Sequence, residues 1–100
     1  MMDYIKTQES RNKFNETPFL VNNEPVMITA LEVQSILGNT DEISIKGKGE
    51  TCSNTVAVAN IIIENILKGK SKTGKIIVDS DITEDGYMIS TIEIIIKKIN

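Results

Sequence analysis

Apolar residues in this chain recur at two different spacings, and the switches between them divide residues 18–98 into six elements. Residues 18–21 (Pro-Phe-Leu-Val) form a short apolar run ended by Asn22 and Asn23, which predicts a strand. Pro25 then suits a first helical turn, Asn23 a cap, and Glu24 the positive end of a helix dipole. Val26, Ala30, Val33 and Leu37 follow at helical spacing, with Met27 and Leu31 beside them, and Gly38-Asn39 stops the helix. In residues 42–46 the period drops to two, because Ile43 and Ile45 alternate with polar neighbours as a half-buried strand requires. Gly47 and Gly49 bracket Lys48, so the backbone there can turn sharply and present the lysine.

Thr51 or Ser53 can cap the next helix, where Cys52, Val56, Ala59, Ile63, Ile66 and Leu67 share one face. A second apolar set, Ala57, Val58, Ile61 and Ile62, makes the stripe wider than the roughly 100° that one sheet covers. Either the domain is larger than it looks or the helix packs against a second copy. The dimer is the expectation adopted, with Val58, Ile61 and Ile62 at the interface and Ile82 or Met88 reaching it from a hairpin. Residues 68–75 are expected to be a lysine-rich loop too polar to be buried, and Lys75-Ile76-Ile77-Val78 to open a third strand. Thr83-Glu84-Asp85-Gly86 is a hairpin turn, and residues 87–98 are the last strand, apolar on both faces from Ile92 to Ile96 apart from Glu93.

The resulting order, β-α-β-α-β-β, is an α/β (α+β) two-layer sandwich of two helices on a four-stranded mixed sheet, with a strand-helix-strand crossover in its first half. Residues 18–100 form this single domain, as expected for a chain of 100 residues. Residues 1–17 are polar and without period, and are expected to be a flexible or loosely docked tail from which Tyr4, Ile5 and Phe14 can reach the domain.

Composition narrows the function. Eighteen isoleucines against two Phe, two Tyr and no Trp imply a β-branched aliphatic core, and leave few rings on which a single strand of nucleic acid can stack its bases. The net charge is −3, but eight of the eleven basic residues lie from Lys46 onward. The acids concentrate in the first third and between Asp79 and Asp85. A single cysteine and no histidine exclude an intramolecular disulfide and a Cys/His zinc site, so no metal or other cofactor is expected. No apolar run approaches the roughly 18 residues of a membrane span, and the first residues lack a signal-peptide core. An intracellular protein without membrane partners is expected, in which the glycosylation acceptor pattern Asn15-Glu16-Thr17 is idle.

Three features suggest chemistry. Residues 69–75 (Gly-Lys-Ser-Lys-Thr-Gly-Lys) satisfy most of a P-loop pattern, yet Ile76 stands where Ser or Thr is required, and the loop leaves a helix instead of entering one. What remains is a solvated connection whose Lys70 and Lys72 can add phosphate contacts. Gly47-Lys48-Gly49 fails as a dinucleotide fingerprint, because Cys52 occupies the place of a third glycine. The loop does precede a helix amino terminus, which can hold a phosphate. Cys52 itself, on an apolar helix face and without a histidine partner, is expected to be structural, and no catalytic residue is expected.

Ile45-Lys46-Gly47-Lys48-Gly49, with Glu24-Pro25-Val26-Met27 before it and Ser90-Thr91-Ile92-Glu93-Ile94 after it, resembles the signature stretches of the Alba family of nucleic-acid-binding proteins. The resemblance spans about residues 19–98. It implies a dimeric, non-enzymatic domain that binds RNA or DNA, either as a homodimer or as a heterodimer with another Alba-like chain, and acts in chromatin or RNA packaging. Lys46 and Lys48 match positions where the family carries a basic residue that contacts nucleic acid, and Asn54 replaces another common lysine. With Lys70 and Lys72 these are the candidate binding residues. The chain departs from the family where Asn23 and Glu24 replace a pair of lysines, where Glu50 replaces a basic residue, and where Asp79, Asp81, Glu84 and Asp85 replace hairpin arginines. These acids make an alternative role plausible on charge grounds: a protein-interaction subunit of a ribonucleoprotein particle, as in ribonuclease P, with weak binding of its own.

Overall fold

The computed structural model describes residues 17–99, so Tyr4, Ile5 and Phe14 lie outside the described residues. Among the described residues the elements are β1 (Phe19–Leu20), α1 (Val26–Leu37), β2 (Glu42–Lys48), α2 (Thr51–Ile61), β3 (Ser71–Ile82) and β4 (Met88–Lys98), and α2 runs on into one π-helical turn, Ile62–Ile66. The strands form a four-stranded mixed sheet in the order β1-β2-β4-β3. β1 pairs parallel with β2, while β2-β4 and β4-β3 are antiparallel. The fold is therefore the expected two helices on one mixed sheet.

Register assigns each side chain to a face. Ile43, Ile45 and Gly47 lie opposite Ile96, Ile94 and Ile92, and this inner face packs on the helices. The core joins Ile45, Ile94 and Ile96 to Ala30, Val33 and Leu37 of α1 and to Val58, Ala59 and Ile62 of α2. Each large aliphatic buried there contributes about 1.5–3 kcal/mol relative to its exposed state. Ser44, Lys46 and Lys48 alternate onto the outer face, opposite Ile95, Glu93 and Thr91.

Several expectations are corrected. Val58 and Ile62 are 0% exposed within this one chain, so they have no surface to offer a second copy. The stripe of α2 that meets the sheet is Thr55, Val58, Ala59 and Ile62, while Val56 faces outward at 41% exposure. The helix is apolar on more than one side, and its phase is fixed by where it touches β2, a contact that no local period encodes. The π turn, closed by Leu67 N–H donating to Ile62 O at 2.7 Å, inserts a residue into the repeat and brings Ile63, Ile66 and Leu67 back against the core. Ile61 is half-buried.

β3 begins at Ser71, not Lys75, so only residues 67–70 form the connection after the π turn. The polar start of β3 escapes a periodicity test because nearly all of the strand is exposed and nothing selects an apolar face. Gly74 is the extra residue of a β-bulge between Thr73 and Lys75. The predicted turn closes the hairpin: Thr83 N–H donates to Tyr87 O at 2.8 Å, and Gly86 takes the left-handed conformation at φ 89°. Neither helix has the side-chain cap expected of Asn23, Thr51 or Ser53. Pro25 precedes α1 in extended conformation, and its carbonyl accepts from Ile28 N–H at 3.0 Å.

Candidate nucleic-acid interface

Because β1 and β2 are parallel, their carboxyl ends come to the same end of the sheet, and so do the amino termini of the helices that follow them. Asn54 ties the two connections together there, its Nδ2 donating to Asn22 O at 3.4 Å. The Gly47-Lys48-Gly49 turn sits at this end. Gly47 is buried, and a Cβ added to it would lie 2.5 Å from Thr51 O and closer still to Thr55 Oγ1. Only a hydrogen at this position lets the first turn of α2 rest against the strand. Gly49, at φ 60°, makes the actual turn, and Cys52 N–H donates back to Gly49 O at 3.1 Å.

Thr51 holds Lys48. Its Oγ1 accepts from Lys48 N–H at 2.8 Å and lies 2.9 Å from Lys48 O, to which it donates. The backbone carrying the lysine is thus fixed while its side chain stays open. Lys46 is half-buried two residues earlier on the same outer face. The adjoining end of α2 has no side-chain cap, and the positive end of the helix dipole favours an anion there.

Lys70 and Lys72 are not part of this cluster. Lys72 pairs with Lys97, which in turn lies opposite Glu42, whereas Lys48 shares its rung with Thr91 and Asp79. Six rungs separate the two ends, about 20 Å along the strands. The far end also collects both helix carboxyl termini, each equivalent to about half a negative charge. Lys98 Nζ donates to Gly38 O at 3.4 Å at the end of α1, and Lys68 and Lys70 follow the end of the π turn. Lys97 Nζ lies 3.9 Å from Glu42 Oε1. Lys97 and Lys98 there answer negative charge within the protein.

Acids surround the glycine turn. Lys48 Nζ lies 3.4 Å from Asp81 Oδ2, both side chains being more than half exposed. Asp79 occupies the rung of Lys48 and accepts from Ser80 N–H through Oδ1 at 2.8 Å. Glu93 stands opposite Lys46 and accepts a hydrogen bond from Ser44 Oγ. Glu24 Oε1 accepts from Thr29 Oγ1 at 3.3 Å. Sequence reasoning missed the part that Thr51 and Asp81 play here. Counting rungs outward from Asp85-Gly86 places Asp81 on the outer face, but the link to Lys48 also needs the β2-β4 register. Cys52 is half-buried, and its Sγ lies 3.4 Å from Ser90 O. Among the described residues no group of His, Cys, Asp or Glu could hold a metal ion, and no helix is long and apolar enough to cross a membrane.

The sequence profile of the Alba family matches residues 19–80, well over half of the chain and including both glycine-turn lysines. The chain belongs to the Alba family. Among solved structures it is similar to Alba from Thermoplasma volcanium, with 29% identity, a TM-score of 0.68, and coverage of 81% of this chain and 99% of that one. It also shares its fold with ALBA1 from Trypanosoma brucei, at 13% identity and a TM-score of 0.68, over 86% of this chain and 74% of that one. No curated protein matches the sequence significantly. Alba proteins are nucleic-acid-binding and non-enzymatic, and this chain is an Alba-type nucleic-acid-binding module.

Proposed function

We propose that the chain binds RNA or DNA as a dimer through phosphates held at the glycine-turn end of the sheet, within an intracellular role in RNA or chromatin packaging. Lys46 and Lys48 supply the cations, the amino terminus of α2 supplies N–H groups, and Asn54 keeps the adjoining loop in place. The observation that carries this is the Thr51 clamp, which fixes Lys48 beside an uncapped helix amino terminus. Contacts of this kind carry little sequence preference. With a net charge of −3, affinity is expected at about the micromolar level at physiological salt. Ile61, Ile82 and Met88 contribute to the dimer; the last two are 73% and 70% exposed on the projecting hairpin.

The test is a salt titration on matched RNA and duplex DNA. Two lysines from each of two copies neutralise about four phosphates, for a slope of log affinity against log salt of about −3.6 on duplex and −2.8 on single strands. Lys46→Ala/Lys48→Ala should flatten that slope, and Lys70→Ala/Lys72→Ala should leave it nearly unchanged. Equal effects of the two double substitutions would move the site away from the glycine turn. The Lys48–Asp81 pair favours a second reading, in which the chain is an interaction subunit, paired with another Alba-like chain, and leaves most phosphate contacts to its partner. Affinity and slope unaffected by either double substitution would select it.

A further inference from the structure

Glu93 is out of place beside a phosphate site. It lies on the outer face of β4, opposite Lys46 of β2 on one side and Ile77 of β3 on the other. Cβ atoms of such cross-strand pairs are about 4.5–5.5 Å apart, so a ligand group held by Lys46 comes within reach of the Glu93 carboxylate. That carboxylate is also anchored. Its Oε2 accepts from the hydroxyl of Ser44, which stands opposite Ile95, so the bond runs diagonally across the ladder to the outer-face position just before Lys46. Ser44, Lys46 and Glu93 are all half-buried, whereas Lys48 and Asp81 pair through side chains that are more than half exposed. Asp81 can swing aside when an anion arrives; Glu93 is held where it is.

A carboxylate only accepts hydrogen bonds, at about four lone-pair sites, of which Ser44 occupies one. The phosphate and ring oxygens of a sugar-phosphate chain also only accept. The one donor such a chain can bring is the ribose 2′-hydroxyl, the group by which a protein tells RNA from DNA at a given site. We infer that Glu93, positioned by Ser44, accepts the 2′-hydroxyl of the nucleotide whose phosphate Lys46 holds, so that this end of the sheet selects ribose over deoxyribose. DNA meets the same carboxylate with acceptors alone, and its repulsion goes unrelieved. Base amines are the other donors in a nucleic acid. Lys46 and Lys48, about 7 Å apart along β2, draw the backbone across this face and so bring a sugar, not a base, to the rung of Glu93.

This inference rests on the phosphate site proposed above, and sugar chemistry separates the two. Anisotropy titrations of the full chain use labelled single strands of one sequence built on ribose, 2′-deoxyribose or 2′-fluororibose, the last keeping the pucker of ribose without its donor. Wild type should bind the ribose strand about tenfold more tightly than either analogue, the low end for a hydrogen bond to a charged acceptor. Glu93→Gln, nearly equal in shape, should cut that ratio to about threefold or less and tighten binding of the deoxyribose strand. Ser44→Ala should lower the ratio too, and Ser44→Thr, which keeps the hydroxyl, should preserve it. Both positions lie on the sheet face away from the helices, so circular dichroism should show every variant folded. Equal binding of all three strands, 2′-fluororibose bound as tightly as ribose, or a ratio unmoved by Glu93→Gln overturns the inference and leaves the phosphate site standing. A salt slope unaffected by Lys46→Ala/Lys48→Ala overturns the phosphate site and this inference with it.

Discussion

Replacing Asp81 with Asn should tighten nucleic-acid binding, and the structure bounds by how much. A phosphate reaching Lys48 Nζ has to compete with the Asp81 carboxylate 3.4 Å away. Exposed pairs of this kind contribute about 0.2–1 kcal/mol, which the wild type forgoes on binding. A phosphate about 3 Å beyond the ammonium lies about 6 Å from the carboxylate. Unscreened in water this repulsion is about 0.7 kcal/mol, and roughly half of that remains at physiological ionic strength. The sum, about 0.5–1.3 kcal/mol, is a two- to ninefold gain per site at about 1.4 kcal/mol per tenfold. Fluorescence anisotropy with labelled RNA reads it directly, at concentrations where wild type and variant share one oligomeric state. The decisive comparison is a double-mutant cycle with Lys48→Ala. If Asp81→Asn tightens binding equally with and without Lys48, the effect is long-range repulsion and the pair does not gate the site.

Gly47→Ala should destabilise the fold by about 3 kcal/mol or more in urea unfolding, because the new Cβ meets the Thr51 carbonyl, which cannot move without displacing α2. Ile62→Ala should lose about 2–5 kcal/mol of monomer stability, and Ile62→Asp should unfold the chain instead of dissociating it. Ile82→Asp, on an exposed position, should leave thermal unfolding of the monomer unchanged and act only on association in sedimentation. Converting Asp79, Asp81, Glu84 and Asp85 to Lys should steepen the salt dependence of duplex binding, and an unchanged slope would show that the hairpin does not approach the ligand.

The element order was legible because most segments bury one face, and burial leaves a period. Val26, Ala30, Val33 and Leu37 mark α1, and all but Val26, which is half-buried, lie fully in the core. Where burial is absent the period fails: the first rungs of β3 read as loop because lysines, Ser71, Thr73 and Gly74 serve an exposed edge as well as they serve a turn. The face of α2 failed for the opposite reason, since apolar residues on several sides left its rotation to Gly47 and the π turn. In the candidate site Lys46 and Lys48 could be joined by local spacing, two residues apart on one strand. The exclusion of Lys70 and Lys72 and the approach of Asp81 depend on register across three strands, which is set by packing over the whole sheet.

Gly47 also limits how this module can change. The residue that lets α2 lie against the strand is the neighbour of the lysine proposed to meet the ligand, so the shape of this end of the sheet cannot drift without loss of the fold. Variation is confined to what the frame displays: the exposed charges at 48, 50 and 81 can be exchanged while their positions cannot. Affinity and salt response are therefore open to gradual adjustment in related chains. The spacing of the proposed contacts is set by the fold.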